Sequence, residues 1–408
     1  MTVTKVGTRT VLLHPIAVFS AVWLSVVLLY SLHLSRLLLY STSEVLSATS
    51  YIWVPFVTIV VLYSAFHHMN RLAYRPEATK QCIDFELLER RLTLWFRIWL
   101  VVSAAEIVIS GGIPIIWLVR GSAKTYVDFG IPSLHGLVNS LLVSIAVCRV
   151  ALYFLTGKWR HLKIPAFVLA WSVLVVTRQL MLVSLLEYVV VFLSVKKIGL
   201  KTVARVVVGF VTLIFVFGIL GDMRSGSEAF RLVAQPTDRY PDWLPSGVLW
   251  VYIYVTTPIN NLIYTMHSVQ PESNFLFPNT AATLFPSVIR SIIYGSQVGQ
   301  AESGNLVTQA FNVSTAYVGP YQDYGIVGMI LFSLLAGFAC QFFWYRSGLR
   351  DILIFSVLTQ CTVLTLFFNL FLALPVITQV FWLGYFFMPK IVFGKKATPL
   401  PLSSDVSR

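Results

Sequence analysis

The sequence predicts an all-α, polytopic membrane protein with about ten transmembrane helices, and three observations predict it. Of 408 residues, 57% are hydrophobic and only 12% are charged, and the mean hydropathy is +0.78. Apolar runs of about 17–25 residues, the length a helix needs to cross a bilayer core, recur from end to end. The loops between them alternate between rich and poor in Lys and Arg, which is the signature of a threaded chain. The chain reads as a single membrane domain over 1–408.

The runs fall at 12–31, 51–66, 94–110, 133–154, 164–177, 179–195, 203–220, 327–345, 352–368 and 370–388. Lys5 and Arg9 precede the first run and no small-residue cleavage site follows it, so a retained span is expected in place of a signal peptide. With the N-terminus inside, the basic loops share one side: Lys5 and Arg9, then Arg71, Arg75, Lys80, Arg90 and Arg91 in the loop 67–93, then Lys158, Arg160 and Lys163. Lys196, Lys197 and Lys201 join them, as do Arg346, Arg350, Lys390, Lys395 and Lys396. The positive-inside rule makes that side, and both termini, cytoplasmic. The net charge of +13 is therefore mostly a topology signal and does not point to nucleic acid. Cys82, Cys148, Cys340 and Cys361 show no metal-ligand spacing, so neither a disulfide nor zinc is expected.

This threading depends on 164–195, "IPAFVLAWSVLVVTRQLMLVSLLEYVVVFLSV", which holds Arg178 near its centre. Read as one tilted helix, it would put the following lysine-rich loop outside. Read as two short helices of roughly 21 and 25 Å, it keeps that loop inside and sets Arg178 at the tip of a turn sunk within the membrane. Such a hairpin is tolerated where protein or a water-filled cavity surrounds it.

The opposite, outer face carries the chemistry. A long non-spanning region, 221–326, reads as a folded lid with an amphipathic or re-entrant segment at 248–266. A shorter outer segment covers 110–137. The outer basic residues are Arg36, Arg120, Arg178, Arg224, Arg231, Arg239 and Arg290, with Lys124 the sole lysine. Arginine keeps its charge and offers a planar fork to phosphate. An arginine-rich face around an intramembrane tip therefore suits an anionic, phosphorylated ligand carried by the membrane.

Each candidate has a plain structural alternative. Arg178 either clamps a diphosphate or snorkels to the interface, or pairs with an acid such as Glu106. Arg224, in "GDMRSG", either grips the ligand or pairs with Asp222. Arg120 and Arg290 either reach into a site or rest among headgroups; Arg231 and Arg239 sit in more polar surroundings and read as solvated. General-base candidates are Asp222, Asp323, Asp128, His135 and His267, with helix capping the simpler role for Asp323 and packing the simpler one for the histidines. Trp250, Tyr252, Tyr254, Tyr264, Tyr317, Tyr321 and Tyr324 suit either an interfacial belt or stacking on sugar rings. No dinucleotide fingerprint, Walker loop, HExxH or GxSxG motif is present, which disfavours an ATP-driven machine.

"GGIPIIWLVRG" followed by "FGIPSLHGL", then "VVTRQLML", "GDMRSG", "YIYVTTPINNL" and "NVSTAYVGPYQDYGIVG" occur in that order over about residues 90–390. In this order and topology the chain resembles the bacterial polysaccharide repeat-unit polymerases that extend O-antigen, capsule or enterobacterial common antigen. The resemblance implies a membrane glycosyltransferase of the bacterial inner membrane that needs no metal or other cofactor. It would transfer a growing glycan from undecaprenyl diphosphate to a sugar hydroxyl of an incoming lipid-linked repeat unit at the periplasmic face. The implied partners are undecaprenyl-diphosphate-linked glycans, membrane lipids and a chain-length-regulating membrane protein. Arg178 and Arg224, assisted by Arg120 and Arg290, would then hold the diphosphate; Asp222, Asp323 or His135 would serve as base; and Tyr252, Tyr254 and Tyr317 would meet the sugars. Two alternatives stand beside this one. An O-antigen ligase would share the architecture and use a histidine of the large loop, such as His267. A lipid-linked oligosaccharide flippase would call for internal repeats, and none is evident.

Overall fold

A computed structural model of the chain describes residues 10–73, 84–196, 227–241, 243–295 and 304–389, with isolated positions between 199 and 212. Among the described residues the regular structure is helical, and an isolated bridge between Ser35 and Pro236 is the extent of β pairing. The first half contains α1 (Pro15–Ser31), α2 (Thr42–Ala73), α3 (Phe85–Ser110), α4 (Pro114–Val119), α5 (Leu134–Thr156), α6 (Lys163–Leu174) and α7 (Arg178–Val195). The second half contains α8 (Ser227–Ala234), α9 (Ser246–Ser268), α10 (Pro278–Ala281), α11 (Ser287–Tyr294), α12 (Val318–Trp344), α13 (Leu349–Leu364) and α14 (Leu374–Phe386).

Five helical stretches among the described residues are long and apolar enough to cross a membrane: Thr42–Asn70, Phe85–Val119, Leu134–Thr156, Arg178–Val195 and Val318–Trp344. α1 and α14 are apolar but shorter. The expected spans 164–177 and 352–368 correspond to α6 and α13, of 12 and 16 residues, and most of 203–220 lies outside the described residues.

Local chemistry sets the helix ends. Asp84 caps α3 by accepting from Leu87 N at 3.0 Å, satisfying one of the orphan donors of the first turn. Arg91 caps a distant end: its guanidinium donates to the carbonyls of Tyr385, Phe386 and Met388 at the C-terminus of α14, where a cation also suits the helix dipole. In α12 the backbone leaves helical geometry at Tyr324 and Gly325, where Gly325 takes φ +60°. The break releases two carbonyls, and the preceding loop answers them: Glu272 N donates to Gln322 O and Asn274 N to Asp323 O.

α5 is the most enclosed of the long helices, with 78% of its most apolar window buried. It packs against α3, α6, α7 and α14. The C-terminal ends of α5 and α7 meet through Phe154 and Phe192, 5.2 Å between rings, and Tyr153 of α5 meets Trp159 just before α6 at 5.4 Å. α6 and α7 are therefore antiparallel, each running between that end and the end where α5 begins.

The turn between them is a C-terminal helix motif with an unusual occupant. Thr177 N donates to Ser172 O and Val176 N to Val173 O, a Schellman closure whose left-handed position usually holds glycine. Here it holds Val176, at φ +56°. The break expected beside Arg178 is present, but the two helices are unequal: α6 is short, whereas α7 begins at Arg178 itself and is long enough to span.

The same logic places other elements. Arg90, Arg91, Lys158, Arg160, Lys163, Arg346 and Arg350 sit at the ends of helices that meet at one pole, tied by Arg160 to Glu89 (2.9 and 3.0 Å) and by the Arg91 cap. The starts of α5, α7, α12 and α14 lie at the other pole. Part of the expected lid is a packed helix. Its segment 248–266 forms most of α9, which packs on α1, α2, α8 and α12 and buries Leu249, Ile253, Ile259 and Leu262. Its buried amides are employed: Asn260 accepts from Tyr30 Oη and Leu39 N and donates to Leu37 O, while Asn261 donates to the carbonyls of Phe311 and Val313.

Candidate functional site

At the pole away from the basic helix ends lies a cavity of about 720 Å³, formed where the first turns of α5, α7, α10, α11 and α14 converge. That is the size of a small-molecule site. Its polar wall is mainly neutral: Ser133, Asn139, Ser140, Thr177, Gln179, Asn279, Thr280, Thr283, Ser287, Thr315, Asn369 and Gln379. The ionisable groups among its lining residues are His135, Arg290 and the phenol of Tyr126.

His135 is held from every side. Its Nδ1 donates to Glu106 Oε2 at 3.1 Å, and Glu106, 1% exposed on α3, also accepts from Ile131 N at 3.3 Å. With Nδ1 carrying the proton, Nε2 is an acceptor and takes the amide N–H of Asn139 at 2.9 Å. Phe129 stands edge-on to the imidazole at 5.2 Å between centroids. Gly130, at φ +86°, lies so close that a Cβ there would strike the ring. A carboxylate behind Nδ1 fixes the tautomer and leaves Nε2 as the basic nitrogen, covered by the Asn139 amide, with both residues lining the cavity.

Arg290 lines the same cavity from α11, whose first residue is anchored to the start of α5: Ser287 N donates to Ser133 Oγ at 2.8 Å. Ser133 takes φ +66° to make this junction. On the cavity's deeper side Gln379 donates to both oxygens of Glu187, at 2.9 and 2.7 Å, and Glu187 is fully buried in α7.

The remaining sequence candidates are spread more widely. Arg178 is exposed at the start of α7, between Thr177 and Gln179, which line the cavity. Arg120 is exposed at the end of α4 and is not among the lining residues. Asp323 is fully buried and engaged: Oδ1 accepts from Asn279 N (3.0 Å) and Nδ2 (2.8 Å), and Oδ2 from Thr280 N (2.8 Å). It thus caps α10 rather than its own helix, and fixes two cavity residues from behind. Asp128 closes its own turn by accepting from Thr125 N and Oγ1, which holds its carboxyl below the usual aspartate range. His267 is exposed and edge-on to Tyr40 at 5.2 Å. Tyr252 and Tyr317 are 4% and 0% exposed, pack within the helical core and are not among the lining residues; Tyr252 Oη accepts from Leu34 N. Tyr254 is exposed and stacks on Trp250. Asp222 and Arg224 lie outside the described residues.

Sequence reasoning named His135 and Arg290 but treated Glu106 only as a foil for Arg178. Glu106 is an intramembrane acid, which is the signal that could have marked it. Among the described residues no group of three or more His, Cys, Asp or Glu side chains gathers as a metal site. No known protein family, no curated protein and no solved structure matches the chain.

Proposed function

We propose that the protein is a membrane glycosyltransferase that polymerises lipid-linked oligosaccharide repeat units, in the manner of the polysaccharide polymerases its sequence resembles. One observation carries the reading: the Glu106–His135 pair faces a largely neutral, hydroxyl- and amide-walled cavity that also holds Arg290. In this reading ten spans thread the inner membrane, 203–220 among them. The basic pole faces the cytoplasm and the cavity faces the periplasm.

The reaction asks for three things. The acceptor hydroxyl needs a base: on entering, it displaces the Asn139 amide from His135 Nε2, which then takes its proton as the oxygen attacks the anomeric carbon, and Glu106 stabilises the imidazolium that forms. Base assistance of this kind contributes about 10²–10⁴-fold in rate. The bond from the anomeric carbon to the diphosphate oxygen breaks, and undecaprenyl diphosphate leaves with its electron pair. Arg290, with Arg178 beside the hairpin turn, meets the charge that grows there. Walls of amides and hydroxyls suit the hydroxyls of the glycan between them.

The test uses the full chain in lipid nanodiscs with an undecaprenyl-diphosphate-linked repeat unit, read as a ladder of product lengths. His135→Gln and Glu106→Gln are expected to slow ladder formation by about 100-fold or more. Wild-type ladders from both variants would sink the assignment of the base. A chain delivered only to added lipid A core would mark a ligase, and no transfer at all would end the polymerase reading.

A further inference from the structure

The cavity wall contains two polar atoms that the protein leaves without partners. Thr280 is 7% exposed and its Oγ1 has no hydrogen-bond partner among the described residues. Everything else about Thr280 is fixed. Its N–H donates to the buried carboxylate of Asp323 at 2.8 Å, and its carbonyl accepts from Asn369 Nδ2 at 3.3 Å. Gly319 approaches the neighbouring Asn279 carbonyl so closely that a side chain there would clash. The second atom is Asn139 Oδ1: the amide N–H of Asn139 is committed to His135 Nε2, while its oxygen is unpartnered. Both residues line the same cavity as His135.

A buried hydroxyl held rigidly and left unpaired is costly unless something from outside completes it. The groups set directly against these two atoms decide what that something is, the cavity's cation, Arg290, being assigned above to the diphosphate. Asn139 presents an oxygen, and the Asp323 carboxylate lies directly behind Thr280. An anion would meet oxygen at the first and a negative charge at the second. A group that both donates and accepts, without charge, fits each. We infer that Thr280 and Asn139 form a subsite for the hydroxyls of an uncharged sugar ring, and that the site discriminates against sugars carrying a carboxylate. Asp323 is its positioning residue. The inference rests on reading the cavity as the glycosyl-transfer site, and it names the class of sugar that site takes.

Binding separates the subsite from the polymerase reading. The full chain in nanodiscs is titrated with hexyl β-glycosides of glucose, galactose, N-acetylglucosamine and glucuronic acid, and binding is read by saturation-transfer NMR. At least one neutral glycoside is expected to bind more tightly than the glucuronide. Thr280→Val, which keeps the shape and removes the hydroxyl, should weaken that binding roughly two- to tenfold, the worth of one hydrogen bond. Thr280→Ser should restore it, which excludes a folding defect. Glucuronide binding as tight as the best neutral glycoside, neutral binding indifferent to Thr280→Val, or no binding by any of the four would each overturn the inference. Neutral binding that responds to Thr280→Val in a protein that forms no ladder would leave the subsite standing and remove the polymerase.

Discussion

Replacing Asp323 measures how firmly the cavity's far wall is built. The carboxylate is fully buried and accepts three hydrogen bonds, from Asn279 N, Asn279 Nδ2 and Thr280 N, at 3.0, 2.8 and 2.8 Å. Hydrogen bonds to a charged acceptor contribute about 1.5–3 kcal/mol each. The three do not add in full, because the lone carboxylate also loses its hydration on burial. Asp323→Ala strands two backbone N–H groups and an amide, for an expected loss of about 3–5 kcal/mol. Asp323→Asn keeps one accepting oxygen but turns an NH₂ toward Thr280 N, for about 1–3 kcal/mol. Thermal unfolding in nanodiscs gives the global figure. Hydrogen exchange over 274–284 gives the local one, and a 3 kcal/mol loss there speeds exchange by about a hundredfold. If both variants melt with the wild type and exchange is unchanged, Asp323 does not hold α10, and the rigid placement of Thr280 falls with it.

Three other outcomes follow from particular geometry. Val176→Gly relieves a left-handed β-branched residue, worth about 1–2 kcal/mol, and returns about 0.5–1 kcal/mol in chain entropy; melting should hold steady or rise, and a clear fall would show that Val176 packing outweighs its backbone strain. Arg91→Ala removes the cation from three carbonyls at the end of α14, for a loss of about 1–2 kcal/mol; exchange at 383–388 should quicken, and unchanged rates would refute the cap. Asp128, with its folded-state value depressed by Thr125, steadies the turn 125–128 above the ordinary aspartate value of 3.8 and loses that contribution as pH falls through the depressed value. The protection factor of the Thr125 amide, its exchange rate relative to the intrinsic rate at each pH, should therefore fall on acidification in the wild type and stay level in Asp128→Asn.

Hydropathy made most of the membrane-crossing helices legible, because burial in lipid and burial in protein ask for the same side chains. The break before Arg178 was legible too, since an arginine and a threonine interrupt an otherwise unbroken apolar run. What stayed hidden was pairing. Glu106 and His135 are 29 residues apart, joined through α4 and two turns whose geometry rests on positive-φ residues that composition does not flag. How deeply α9 packs is also not legible, because the polar Thr256, Asn260 and Asn261 give the segment 248–266 an amphipathic look. All three are buried: Thr256 bonds back within its own helix, and the two asparagines close neighbouring loops. Tyr252 and Tyr317 were drawn to sugar by their residue type alone, and residue type does not distinguish a core tyrosine from a stacking platform.

The Asn260 junction also imposes a delay on folding. The backbone of 34–39, which leaves α1, is completed by Asn260 and Tyr252, and the bond from Leu39 N to Asn260 spans 221 residues of sequence. A ribosome adding roughly 5–20 residues per second needs about 10–40 s to supply the missing partner. Through that interval α1 and α2 are in place while the link between them waits with open donors and acceptors. A truncation ending before α9 should accumulate in that unfinished form.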